Sequence, residues 1–270
     1  MFIKSHVYFF ALLIALLLGL SAAHFITPIA ALLVVVFAMV LSLYNYLLEA
    51  NKSIGLYLTW LFSIVLGIAV GLHRPAGFSY PLVFSVNQLY EGGQPFSLYV
   101  NTAKLLAGYT IVYFLISSSI VSTIFIRSRL LQYLFASAVG IIVVLIASLI
   151  LGLDFHLKAI NYIVMFGLAN LLVTCVTEEA FMRLLLQAQV QKFISRKVKN
   201  VFWLEAIPLF VATVIFVVTH LASNLNAVLV FGLAGFSYGL VYSFTKNMWA
   251  CVAVHFMVNI IHFSLLSYPY

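Results

Sequence analysis

The sequence predicts an all-α, polytopic transmembrane bundle of about eight to nine helices. Three observations predict it: apolar residues make up 65% of the 270, charged residues only 7%, and the apolar residues come in long uninterrupted runs. So little polar surface cannot clothe a water-soluble globule, and the solvent for most of the chain is lipid. Hydrocarbon offers backbone amides no partner, so each span must satisfy its own. Runs without polar and apolar alternation suit helices rather than barrel strands.

A span needs roughly 20 apolar residues, and runs of that kind lie near 7–20, 25–48, 54–72, 102–126, 130–151, 159–190, 206–221, 225–244 and 248–266. The first, preceded by Lys4 and followed by Ser21, Ala22 and Ala23, also has the form of a cleavable signal peptide. As an uncleaved helix it fits the charge pattern better. The connection 73–101, rich in Gly, Pro and aromatic residues, is the one long loop, and it either caps a site or lies at the interface. No internal repeat is visible.

The net charge of +7 does not point to nucleic acid, because the basic residues are scattered between apolar runs and form no stripe. They read as topology signals. With a cytoplasmic N-terminus, Lys4, Lys52, Arg127, Arg129, Lys192, Arg196, Lys197, Lys199 and Lys246 fall inside, and only Arg74, Lys104 and Lys158 fall outside. Cys175 and Cys251 both lie inside apolar runs, so no disulfide framework is expected.

Function is sought among the polar groups that lipid should exclude. Glu178 and Glu179 stand side by side within an apolar helix, and an acid inside the membrane is a functional candidate by default. Arg183, one turn after Glu179, allows a charge-assisted pair. That leaves Glu178 free, about 100° around the helix. A buried pair alone would only lock helices together, but a surplus carboxylate suits a group that takes a proton from water near neutral pH.

His220 follows Phe216 by one turn at the outer end of its helix, and taken singly it reads as an interface histidine. The last helix carries His255 and Asn259 four residues apart, with Cys251 a turn before and His262 beyond. Such a polar seam must face protein or water. At about 1.5 Å per residue, Glu178 lies roughly 18 to 20 Å from its helix end near Gln191. Asn259 comes out at a similar depth, His255 shallower and His220 at or beyond that level, so the four converge if their helices adjoin.

In order, Glu178-Glu179-Ala180-Phe181-Met182-Arg183 reads EExxxR, Phe216 to His220 reads FxxxH, and His255 to Asn259 reads HxxxN. Over roughly 130–266 these motifs resemble the CAAX protease and bacteriocin-processing (CPBP, or Abi) family of intramembrane proteases. The resemblance divides the chain into N-terminal spans of unknown role, 1–129, and a CPBP-like catalytic core, 130–270. It implies peptide-bond hydrolysis in which Glu178 is the general base on a water that His220 helps to hold. His255 and Asn259 would then donate to the oxyanion, while Glu179 and Arg183 brace the site.

No cofactor is expected. Zinc is the alternative, since Glu and His are zinc ligands, but HExxH is absent and Asn259 suits hydrogen-bond donation better. The expected partners are the bilayer and a membrane-anchored or exported protein or peptide cut near its anchor. The compact chain reads as a bacterial protein of the cytoplasmic membrane.

Three rival readings stay open. Cys175, one turn before Glu178, is placed to be the nucleophile of a sortase-like transpeptidase helped by Arg183 and a histidine, although an apolar helix interior gives a thiolate little support. A proton-coupled carrier would show inverted repeats. Instead, Pro208 near a helix start and Gly232, Gly235 and Gly239 read as a close helix crossing. The third reading is a non-catalytic immunity or partner protein that keeps the fold and binds without cutting.

Overall fold

A computed structural model describes residues 2–50, 53–117 and 124–268. Among the described residues the polytopic all-α bundle is borne out, with nine helices: α1 (Phe2–Ala22), α2 (Pro28–Glu49), α3 (Ser53–Leu72), α4 (Thr102–Leu115), α5 (Arg129–Leu151), α6 (Ile160–Ile194), α7 (Val201–Thr219), α8 (Leu225–Thr245) and α9 (Met248–Leu265). Seven of these are long and apolar enough to cross a membrane, and the apolar parts of α1 and α4 are shorter. Lys52 and residues 118–123 of the expected fourth span lie outside the described residues, as do 269–270 and the Lys4 side chain.

Side-chain caps decide where the helices begin. Thr27 Oγ1 accepts from the Ala30 amide at 3.2 Å with Pro28 in the first turn, Asn224 Oδ1 accepts from Ala227 at 2.8 Å, and Asn247 Oδ1 accepts from Trp249 at 2.9 Å. Each satisfies an amide that the helix start leaves unpaired. Asn200 does the same for Phe202 at 2.9 Å, so α7 starts at Val201, earlier than hydropathy suggests. Pro208 therefore lies inside the helix and not near its start. At the end of α5, Gly152 takes the left-handed conformation (φ 61°) that closes a helix without a Cβ clash.

One apolar core runs through the molecule, from Leu13 and Leu17 on α1 to Val252 and Val254 on α9. Around the outside, large apolar side chains such as Leu149 and Phe210 are exposed, as lipid-facing positions are. Small residues set the close crossings. A methyl group on Gly235 would lie 2.9 Å from the Phe216 ring, and one on Gly239 would lie 2.7 Å from Arg183 Nη1. Gly235 and Gly239 thus make the close crossing expected for this helix, whereas a methyl group on Gly232 would meet only Val217, at an ordinary 3.9 Å.

The long connection contains an antiparallel hairpin, β1 (Leu82–Val86) paired with β2 (Phe96–Tyr99). Its Phe84 and Phe96 join Phe166 of α6 and Phe263 of α9, whose rings stack at 3.9 Å, in a second small core. The hairpin thus sits over the start of α6 and the end of α9.

Helix α6 is not uniform. Two wide π-helical turns, Asn170–Cys175 and Ala180–Gln187, flank the short α-helical stretch Val176–Glu179. Turns of this kind break the regular i to i+4 pattern and recur at functional sites. Here they bracket both acids.

Candidate active site

The two acids on α6 point into different surroundings. Glu179 and Arg183 are both fully buried (0% exposed), and Arg183 Nε donates to Glu179 Oε2 at 2.7 Å. A charge so far from water persists only when paired and hydrogen-bonded. Arg183 Nη1 also donates to Gln187 Oε1 at 2.6 Å, and Gln187 Nε2 donates to the Gly239 carbonyl at 3.0 Å and to Ser243 Oγ at 3.1 Å. The pair is therefore anchored to α8.

On its other side, Glu179 Oε1 lies 2.9 Å from His255 Nδ1. An ionised carboxylate only accepts, so the ring donates from Nδ1 and turns Nε2 toward Glu178. Tyr238 stacks on the same imidazole, with centroids 4.7 Å apart, and fixes its plane. In the same way His220 Nδ1 is 2.7 Å from the Phe216 carbonyl, which makes Nδ1 the donor and presents Nε2 to the site. His220 is the residue that closes α7.

Glu178 stands where these rings meet. Its Oε2 lies 3.8 Å from His220 Nε2 and 3.9 Å from His255 Nε2, and it is buried without a hydrogen-bond partner. These separations are too long for a direct bond and suit a bridging water. The other oxygen is not free. Lys104 Nζ approaches Glu178 Oε1 to 2.5 Å, which corrects the expectation of an unpaired second acid.

Lys104, read from the sequence only as an outer topology charge, also belongs to the site. It lies in the first turn of α4, whose start is held in three places. Asn101 Oδ1 accepts from the Lys104 amide at 2.9 Å, Asn101 Nδ2 donates to the Gly71 carbonyl at 3.2 Å, and Thr102 Oγ1 donates to the Phe25 carbonyl at 2.6 Å.

Asn259 lines the site without touching Glu178. Its Nδ2 donates to Asn170 Oδ1 at 3.3 Å, and Cys175 Sγ donates to the same Asn170 oxygen at 3.1 Å. Cys175 is fully buried and lines neither cavity described next. Asn170 belongs to the first wide turn of α6, so that turn seats Asn259.

Two cavities meet at Glu178 and His220. A larger one, about 500 Å³, lies among α3, α4, α6 and the end of α7, and its wall includes Lys104 and Arg74. A smaller one, about 140 Å³, lies among α5 to α9 and is lined by His255, Asn259 and Tyr238 as well. Among the described residues no group of three or more His, Cys, Asp and Glu side chains is arranged to hold a metal ion. Between α5 and α6, Lys158 donates to the carbonyls of His156 and Leu266 and lies 4.7 Å from the centre of the Tyr90 ring. Burial pulls its ammonium pKa down to about 8.

The structure thus gathers Glu178, His220 and His255 at one point, lines the adjoining cavity with Asn259, and sets Glu179 and Arg183 behind His255. The sequence reading missed Lys104, Gln187, Asn170 and Tyr238. Gln187 was within reach of it, since Glu179, Arg183 and Gln187 recur every four residues on one face.

No curated protein and no solved structure matches the chain. Residues 159–261 match the family model described as type II CAAX prenyl endopeptidase Rce1-like. That match spans Glu178 to Asn259, the segment that carries all three motifs, and over this part of the chain it is a similarity to that family.

Proposed function

We propose that this chain is an intramembrane endopeptidase in which Glu178 activates the hydrolytic water. One observation carries the reading: the partnerless Glu178 Oε2 is faced by two imidazole Nε2 atoms at 3.8 and 3.9 Å where two cavities join. Water held there by His220 lies against a base. As its oxygen bonds to the substrate carbonyl carbon, its proton passes to Glu178 Oε2. The carbonyl oxygen becomes an oxyanion and takes hydrogen bonds from Asn259 and from His255, whose ring the Glu179 carboxylate holds in place from behind. Collapse breaks the C–N bond, and Glu178 returns its proton to the leaving amine. The products are a carboxylic acid and an amine, and the acid then passes its proton to the amine.

The substrate is a membrane-anchored or exported protein. Supporting this, the cavities lie toward the bundle end that carries the hairpin, whereas Arg127, Arg129, Lys192, Arg196, Lys197, Lys199 and Lys246 lie at the other end. With those residues cytoplasmic, the site is reached from outside.

The test compares membrane proteomes of cells lacking the chain after complementation with wild type, Glu178→Gln or Cys175→Ala. An uncleaved precursor should accumulate in the null and Glu178→Gln cells, and wild type and Cys175→Ala should both clear it. Normal processing by Glu178→Gln would end the glutamate reading, and failure of Cys175→Ala alone would favour the thiol.

A further inference from the structure

The larger cavity holds charges that hydrolysis does not need. Its wall carries two cations, Lys104 and Arg74, against one carboxylate, Glu178, and the remaining surface is mostly apolar, with Ile68, Leu72, Ile111, Phe181 and Met182. Arg74 is exposed and has no ion-pair partner among the described residues. One positive charge is therefore uncompensated beside an apolar trough. Such a cleft concentrates anions, and about 500 Å³ suits a short apolar segment carrying one polar group.

We propose that this cavity is a substrate subsite that reads a carboxylate, with Lys104 and Arg74 as its specificity-determining cations. The proposal rests on Glu178 being the reacting base only for its second part, an exchange. Lys104 holds Glu178 Oε1 at 2.5 Å. An arriving carboxylate takes the ammonium into a new pair beside Arg74, and Glu178 is released toward the water. The two cations of the wall then face two carboxylates, so the charge of the cavity is balanced, and Glu178 is left to the water and to the imidazole Nε2 atoms of His220 and His255 at 3.8 and 3.9 Å. The Lys104 side chain is 27% exposed to the cavity, which leaves it room to turn. A substrate without the acid leaves Lys104 on the base, so recognition and activation are one event. The carboxylate belongs either to a chain terminus or to an Asp or Glu side chain.

The test uses the full chain in lipid nanodiscs with three photoreactive apolar hexapeptides of matched sequence. One ends in a free carboxylate, one is amidated, and one is amidated but carries an internal Asp. Labelled positions are read by mass spectrometry. The free-acid peptide, the Asp peptide or both should label the cavity about five-fold more than the neutral one. Which of them does so identifies the source of the carboxylate. Lys104→Gln with Arg74→Gln should remove the preference and Lys104→Arg should retain it. Glu178→Gln, with no charge competing for Lys104, should increase acid labelling by about five-fold.

Equal labelling by acidic and neutral peptides, a preference that survives the double substitution, or no label in the cavity would each overturn the subsite. None of these outcomes depends on hydrolysis, so the subsite can fail while the protease reading stands, and the reverse.

Discussion

Gly108 of α4 rests directly on Thr177 of α6, so closely that a methyl group on Gly108 would overlap the Thr177 side chain and backbone. Lys104 stands one turn before Gly108, and Glu178 immediately follows Thr177. The contact that brings two helices together therefore also brings the ammonium to the acid. Gly108→Ala should push α4 outward, lower stability by about 1–3 kcal/mol through overpacking and loosen the Lys104–Glu178 pair. Thermal unfolding in detergent beside a peptide-labelling measurement would show both, and an unshifted midpoint would mean that the helices have slack.

Breaking the pair behind His255 should cost more. Glu179→Gln leaves the Arg183 guanidinium buried and uncompensated, and Arg183→Met does the same to the carboxylate, each costing about 3–5 kcal/mol. The double variant should lose less than the sum, which a denaturation cycle would reveal as coupling. Hydrolysis should also fall about 10- to 100-fold in Glu179→Gln, because His255 Nδ1 loses its anchor. Simple additivity of the two stability losses would contradict this.

Glu178→Gln keeps the shape of the side chain and removes the base. It should reduce kcat by about 10²- to 10⁴-fold and lower stability by only about 1 kcal/mol, because the one partner lost, Lys104, is in a pair partly open to the cavity. Single-turnover cleavage of an identified precursor, followed with and without a chelator, would check the acid and the metal together. We expect chelation to leave the rate unchanged, and a loss restored by added zinc would count against the water-and-glutamate route.

Lys158 sets a pH dependence outside the spans. Its pKa falls from the ordinary 10.5 to about 8 in the folded chain because burial disfavours the ammonium. Between those values the unfolded chain binds more protons than the folded one, so folding is increasingly favoured as pH rises through about 8 toward 10.5. Below about 8 both states carry the proton and the slope vanishes. The difference in unfolding midpoint between wild type and Lys158→Gln should therefore shift toward wild type across that alkaline window. A difference that stays flat with pH would sink the assignment.

Most of the fold was legible because hydropathy alone decides which segments lipid accepts, and runs such as 130–151 and 225–244 fall nearly on α5 and α8. The ends were less legible where a cap governs, as at Asn200, because one hydrogen bond outweighs the hydropathy of five residues. The hairpin was hidden because its strands are short and become apolar only against Phe166 and Phe263. At the site, acids in a greasy helix stood out, as did the four-residue spacings of Glu179–Arg183 and His255–Asn259. Lys104 did not, for a lysine near a helix start is the ordinary mark of a membrane boundary. Only the three-dimensional approach of α4 to α6 shows that its charge points inward.

The wide turns on either side of Glu178 and Glu179 have a consequence for anyone who edits or compares this helix. Each extra residue per turn resets the angular phase of everything beyond it, by about 100° for a single residue. Deleting one residue from Asn170–Cys175 would keep every motif and its spacing intact yet swing the acids and the arginine about 100° around the helix relative to the part before that turn. Spelling alone is then an incomplete signature. A chain with the same letters but an evenly wound rod should be inert, and inserting the missing residue is the change that should wake it.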